Sequence, residues 1–197
     1  PIFERGLSEL LAKHAGKRLE ATMDLRAAVL RTELSLIAVG TPFDGRSIDL
    51  RLVERAAIDL GHVIREKPGR HAVVVKSTVV PGTTDGVIRS ALESASGKRA
   101  GVDFGLGVNP EFLTEGEAVS DFMEPDRIVI GAFDERTRAA LEQLYAGFPG
   151  AELVHTNDPT AEMIKYASNA LLATLISFSN ELANLGARHW ADADQPR

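Results

Sequence analysis

Three short polar stretches each follow an apolar run, and they hold hydroxyls, carboxylates and cations of the kind that bond-making chemistry uses. Gly40-Thr41-Pro42 follows the run LSLIAV (Leu34 to Val39). Its glycine lets a ligand approach the backbone and its threonine offers a hydroxyl, although an ordinary strand-to-helix turn reads the same way. Lys76-Ser77-Thr78-Val79 follows HAVVV (His71 to Val75) and places two hydroxyls at a strand end. Asn109 to Gly116 (NPEFLTEG) sets Glu111 and Glu115 four apart. On one helical turn such carboxylates could serve as general base and hydroxyl acceptor; an exposed acidic helix start gives the same spacing. Lys165 and Asn169, also four apart, share a helix face and could hold an oxyanion. The plainer alternative is a solvated face with Lys165 paired to Glu162.

Composition removes several other chemistries. The 197 residues contain no Cys, so these residues hold no disulfide, thiolate metal site or cysteine nucleophile. The five His (His14, His62, His71, His155, His189) stand alone without ligand-like spacing, and no metal is expected. A net charge of −6 with dispersed Lys and Arg argues against broad nucleic-acid binding. No apolar run approaches the ~20 residues that cross a bilayer, and Pro1 to Glu20 has no separate apolar core of a secretory signal. A cytoplasmic setting without membrane association is the expectation.

The elements that must position these residues follow from periodicity. Short β-branched runs alternate with amphipathic stretches, which predicts an α/β fold with a Rossmann-like, mostly parallel sheet and flanking helices. Strands are expected at Leu19–Thr22, Leu34–Val39, His71–Val75, Val102–Val108, Arg127–Ile130 and Glu152–His155. Helices are expected at Gly6–His14, from an Asp24 cap to Leu30, from an Asp49 cap to Glu66, after Pro81-Gly82 to Ser94, and at Glu135–Tyr145, with a loop from Asn109 to Asp126. Pro159 opens a long C-terminal helix whose stripe is Ile164, Ala167, Leu171, Leu175, Phe178, Leu182 and Leu185. Such a helix joins domains or packs on a copy of itself, a buried core helix being the other option. In open α/β sheets ligands bind beyond the carboxyl ends of the strands, where the polar stretches fall.

The ordered set VGTP (Val39 to Pro42), KSTV (Lys76 to Val79), NPEFLTEG, PDRIVIG (Pro125 to Gly131) and AEMIKYASNALLATLISFSNELAN (Ala161 to Asn184) resembles the UDP-glucose/GDP-mannose dehydrogenase family. NPEFLTEG, PDRIVIG and IKYASNALLA look most like members that oxidise UDP-glucose. The resemblance implies oxidation of a nucleotide sugar's C6 alcohol to a carboxylate in two NAD-dependent hydride transfers through a cysteine thioester. Val39, Gly40, Thr41, Pro42, Ser77, Thr78 and Val79 would line the NAD site, with Glu115 between cofactor and substrate. Glu111 would activate water for thioester hydrolysis, Thr78 would position that water, and Lys165 and Asn169 would bind the oxygen at C6. The loop Glu111, Phe112, Leu113, Thr114 and Glu115 would contact the nucleotide sugar. Residues 1–157 would form a partial dinucleotide-binding domain, and 158–197 would begin a central helix that pairs a homodimer.

The chain also departs from that family. No G-x-G-x-x-G turn for the pyrophosphate occurs, and the family's nucleophilic Cys and following Asp are not reached before Arg197. A fragment of a longer enzyme, inactive alone and weak for NAD, is therefore expected. Leu175 stands where the family often has a basic residue, and Pro196 is unexpected in a helical tail. A β-hydroxyacid-type dehydrogenase shares Lys-x-x-x-Asn on a helix, but NPEFLTEG and PDRIVIG argue against it. A truncated, non-catalytic binding or assembly module is the third reading.

Overall fold

The computed structural model describes residues 3–43 and 45–188. The readings above for His189, Pro196 and the last residues lie outside that range. Two short helices, α1 (Leu7–His14) and α2 (Leu25–Arg31), lead into β1 (Leu34–Ile37). Then come α3 (Arg51–Glu66), β2 (Ala72–Val75), a π-helical turn (Thr84–Ile88) running into α4 (Arg89–Ser96), and β3 (Gly105–Val108). After α5 (Ala118–Met123), β4 (Arg127–Ala132), α6 (Glu135–Leu144) and β5 (Glu152–Thr156), the chain enters α7 (Asp158–Arg188). Among the described residues no helix is long and apolar enough to cross a membrane.

The five strands form one sheet in the order β1-β2-β3-β4-β5. All neighbours are parallel except β3 and β4, which pair antiparallel through Gly107↔Ala132 and Val108↔Gly131. A parallel return would need a crossover to the opposite end of the sheet. The 109–126 connection instead stays at the end of β3, so β4 starts there and runs back. The sheet remains mostly parallel, and the reversal brings the carboxyl ends of β1 to β3 and the first residues of β4 to one rim.

β2 is buried on both faces, which explains its unbroken apolar sequence. Val73 and Val75 pack with Ile37, Val53, Leu60, Ile64, Leu92 and Phe104 under α3 and α4, whereas Val74 joins Ile130, Leu141 and Tyr145 under α6. Caps fix the helix starts. Asp24 accepts from Ala27 N at α2, Asp134 from Thr137 N at α6, and Asn157 from Thr160 N at α7. Pro159 takes a first-turn place in α7.

Four local expectations change. β3 begins at Gly105 rather than Val102, because the Val102 and Asp103 amides turn back to Arg99 O. Leu19–Thr22 is not a strand: a turn at Gly16 closes on Leu19 through one isolated bridge to Ala15. The 109–126 connection contains α5, whose start is held by Glu4, its carboxylate accepting from Gly116 N at 2.9 Å and Ala118 N at 3.0 Å. Asp49 holds the backbone N–H and guanidinium of Arg51, and α3 begins at Arg51 rather than Leu50.

Candidate functional site

The rim where β1, β2 and β3 end gathers the stretches singled out in the sequence. The turns after β1 and β2 brace each other: Ser77 Oγ donates to Val39 O at 2.7 Å and Thr41 Oγ1 donates to Thr78 O at 2.8 Å. Those hydroxyl protons are used inside the protein, which leaves the oxygens as acceptors. Val79 is buried in the core beneath α4, so its backbone alone is available at the rim. Gly40 is exposed, and nothing lies within 4 Å of the place a Cβ would occupy, so the ledge there is open.

Beyond β3 the backbone is irregular from Asn109 to Thr114, and Glu111 and Glu115 do not share a helical turn. The reason lies in the loop's own bonds. Glu111 Oε2 accepts from Leu113 N at 2.6 Å, and Thr114 N donates to Asp121 Oδ2 at 2.8 Å. Glu115 and Thr114 are exposed, Leu113 is at the surface, and Phe112 is half-buried. The Phe112 ring lies 5.0 Å from the Arg127 guanidinium and 5.3 Å from Lys165 Nζ, cation–π distances to both.

α7 delivers Lys165 to this loop. The lysine is buried, with Nζ 3.4 Å from Glu111 Oε1, so the solvated-face alternative does not hold. Glu162 is not its partner. That carboxylate accepts from Gly82 N at 2.5 Å and Thr84 N at 2.9 Å, capping the π-helical turn ahead of α4. Asn169, one turn beyond Lys165, is exposed. The structure thus joins Glu111, Phe112 and Lys165 and leaves Glu115 and Asn169 facing outward.

Two groups at the site were not given roles from the sequence. Lys76 donates from Nζ to Asn109 Oδ1 at 3.0 Å and to Asn109 O at 3.3 Å. Burial pushes the Lys76 ammonium below its ordinary value, the Glu111 carboxylate pulls it back, and the Lys165 ammonium adds to the depression. Asn109, buried, also accepts from Tyr145 Oη and donates from Nδ2 to Val129 O at 2.9 Å. The signal was a lysine directly after an all-apolar strand, since a cation there needs a partner. A cavity of about 310 Å³ opens beside this network, lined by Lys76, Glu111, Asp126, Arg127, Tyr145 and Phe148 among others.

The second group roots α7. Asp158 is buried without a donor to either carboxyl oxygen, and burial, then the neighbouring Asp85, Glu162 and Asp134, push it up to about 8. Gly131 permits this seat: a Cβ there would stand 2.8 Å from Ala161 Cβ and 3.1 Å from Asp158 Cα. No sequence pattern announces a buried acid of this kind.

Known proteins resemble this chain over nearly its full length. Residues 1–149 match the NAD binding domain of the UDP-glucose/GDP-mannose dehydrogenase family, and residues 159–195 match its central domain. UDP-glucose 6-dehydrogenase of Haloferax volcanii is 47% identical over 192 residues, covering 94% of this chain and 44% of that protein. GDP-mannose 6-dehydrogenase of Pseudomonas syringae pv. tomato is 44% identical, covering 94% of this chain and 42% of that protein. The crystal structure of a ternary complex of GDP-mannose dehydrogenase from Pseudomonas aeruginosa matches with a TM-score of 0.93 at 42% identity, over 98% of this chain and 44% of that one. UDP-glucose dehydrogenase from Pyrobaculum islandicum gives 0.86 at 43% identity, over the same shares of the two chains. This chain spans less than half the length of the relatives it matches. With its first 149 residues matching the NAD binding domain and residues 159–195 the central domain, the chain belongs to the UDP-glucose/GDP-mannose dehydrogenase family.

Proposed function

We propose that this chain is the dinucleotide-binding and helix-linking part of an NAD-dependent nucleotide-sugar 6-dehydrogenase, acting on UDP-glucose to give UDP-glucuronate. The 47% identity with the Haloferax enzyme supports that sugar, and the 44% identity with the Pseudomonas enzyme makes GDP-mannose the one to test against it. Residues 1–157 are read as a partial dinucleotide-binding domain and 158–197 as the start of the central helix, which pairs two copies of a cytoplasmic enzyme. The observation that carries the reading is the Lys165–Glu111 pair at 3.4 Å on the rim of strand ends.

The open ledge at Gly40, with Val39, Thr41, Pro42, Ser77, Thr78 and the Val79 backbone around it, fits the close approach of a flat ring. These residues would hold NAD, which would supply the hydride acceptor for C6 in each of the two oxidations. Glu115 would sit between cofactor and sugar, and Phe112, Leu113 and Thr114 would form the loop that holds the sugar. Lys165 supplies positive charge, and Asn169 an N–H, to the oxygen that gains charge at C6. Asn169 reaches it from an exposed position that bound substrate would cover. Glu111 takes a proton from the water that hydrolyses the thioester, and Thr78 orients that water. The thiolate is supplied from outside these 197 residues, which contain no Cys.

The test uses the full-length protein. Glu111→Gln supplied with NAD and UDP-glucose should accumulate an enzyme-bound acyl adduct in intact-mass spectrometry, because the oxidations proceed and hydrolysis does not. A full-length wild-type protein that forms NADH with neither UDP-glucose nor GDP-mannose would overturn the reading.

A further inference from the structure

Lys76 stands at the end of β2 with no part in the chemistry proposed above. Its position is nonetheless built with care. Both hydrogen bonds of its ammonium go to Asn109, whose Oδ1 is shared with the Tyr145 hydroxyl and whose Nδ2 is fixed on Val129 O of β4. Asn109 is thereby tied to β2, β4 and α6 at once. Two residues later in the chain comes Glu111, carried on the rigid Asn109-Pro110 unit, with Pro110 itself buried.

We propose that Lys76 is a positioning residue of the thioester hydrolysis: it anchors the Asn109–Glu111 segment through its two hydrogen bonds to Asn109. This rests on Glu111 being the base. The tether to Asn109 sets where the Glu111 carboxylate points, and a base must be aimed at the water it activates. The other charged or titratable groups around Lys76 are Lys165 on α7, Tyr145 on α6, and Asp121, Glu124, Asp126 and Arg127 around the adjoining cavity.

The experiment compares full-length wild type, Lys76→Met, Lys76→Gln and Lys76→Arg. Losing the tether in Lys76→Met should lower kcat roughly 10- to 100-fold, as a misplaced catalytic group does, while KM for the nucleotide sugar stays within about 2-fold. The acyl adduct should persist in intact-mass spectra. Lys76→Gln keeps a donor for Asn109, so it should show a smaller fall in kcat, and Lys76→Arg should restore most of the wild-type kcat. Wild-type kcat in Lys76→Met, or in Lys76→Gln should Lys76→Met not fold, would overturn the proposal. Failure of the base assignment reads out separately, as an unlabelled and fully active Glu111→Gln enzyme.

Discussion

Lys165 Nζ and Glu111 Oε1 are 3.4 Å apart, one carried by a helix and the other by an irregular loop, and the lysine is the more deeply buried of the two. Neither element would hold its side chain there alone. The helix is seated by Gly131, and the loop is tied down by Asn109. Removing one partner of such a pair leaves the other partly desolvated and uncompensated.

In the full-length enzyme, Lys165→Ala and Asn169→Ala should each lower kcat about 10²- to 10³-fold, the usual effect of losing one oxyanion donor. Substrate affinity should fall far less, because the oxygen's charge develops in the transition state. Steady-state kinetics decide the point, and an unchanged kcat for Lys165→Ala would remove it from the chemistry.

Asp158 has an ordinary value of 3.8 and sits at about 8 in the folded chain, so the native state binds a proton that the unfolded state releases. Its stabilising contribution is complete below about pH 4 and is lost as pH rises toward 8, at about 1.4 kcal/mol per unit of pH between those values. Asp158→Asn should therefore be more stable than wild type at pH 8, with the gain shrinking at pH 5. Urea midpoints at the two pH values measure it.

His71 behaves oppositely. It is fully buried between Ser35 Oγ at 2.8 Å and Lys67 Nζ at 3.1 Å, and burial with the Lys67 charge lowers it from 6.5 to about 4. The folded state favours the neutral ring, so this stabilisation is present above pH 6.5 and lost as pH falls toward 4. The two contributions oppose each other over most of that window. Measured in the Asp158→Asn background, stability should fall between pH 6.5 and 4, and a His71→Gln replacement should flatten that slope.

Gly131→Ala places a methyl 2.8 Å from Ala161 Cβ and 3.1 Å from Asp158. Overpacking of this kind costs about 1–3 kcal/mol, and here it also tilts the start of α7. Thermal unfolding should show the loss, and in the full-length enzyme kcat should fall with it because Lys165 rides on the displaced helix.

Leu171 and Phe178 on α7 are 61% and 60% exposed, and their apolar stripe continues through Leu175, Leu182 and Leu185. A second copy packing on that stripe would cover it, and β1, an edge strand of the sheet, is the other surface that could drive association. Leu171→Glu with Phe178→Glu should convert dimers to monomers in light scattering. Polydisperse aggregation that survives the double replacement would assign association to the strand edge, and a monodisperse wild-type monomer would reject both.

Periodicity revealed nearly every element because most of them bury one clear face: Val53, Ala57, Leu60 and Ile64 in α3 are one example. The direction of β4 was not legible, since Arg127–Ala132 is a nearly unbroken buried apolar run that reads the same either way along the sheet. α5 was missed because its start depends on Glu4, more than a hundred residues earlier. At the site, the Glu111 and Lys165 motifs were visible but their pairing was not: Glu162, at the nearer spacing, is drawn away to the Gly82 and Thr84 amides. Lys76 and Asp158 escaped notice for a common reason, namely that what they do is decided by burial among residues distant in sequence.

Every buried side chain of α7 (Asp158, Ala161, Glu162, Lys165) falls in its first eight positions, whereas Leu171 to Leu185 stay in solvent. The helix is therefore one element geometrically and two kinetically. Amide protons near Ala161 and Lys165 are released to solvent exchange by openings that break the core. Those in the outer turns, resting on intrahelical bonds alone, exchange by local fraying on a much shorter timescale. Slowed exchange in the outer turns would mark the moment when something comes to rest against them.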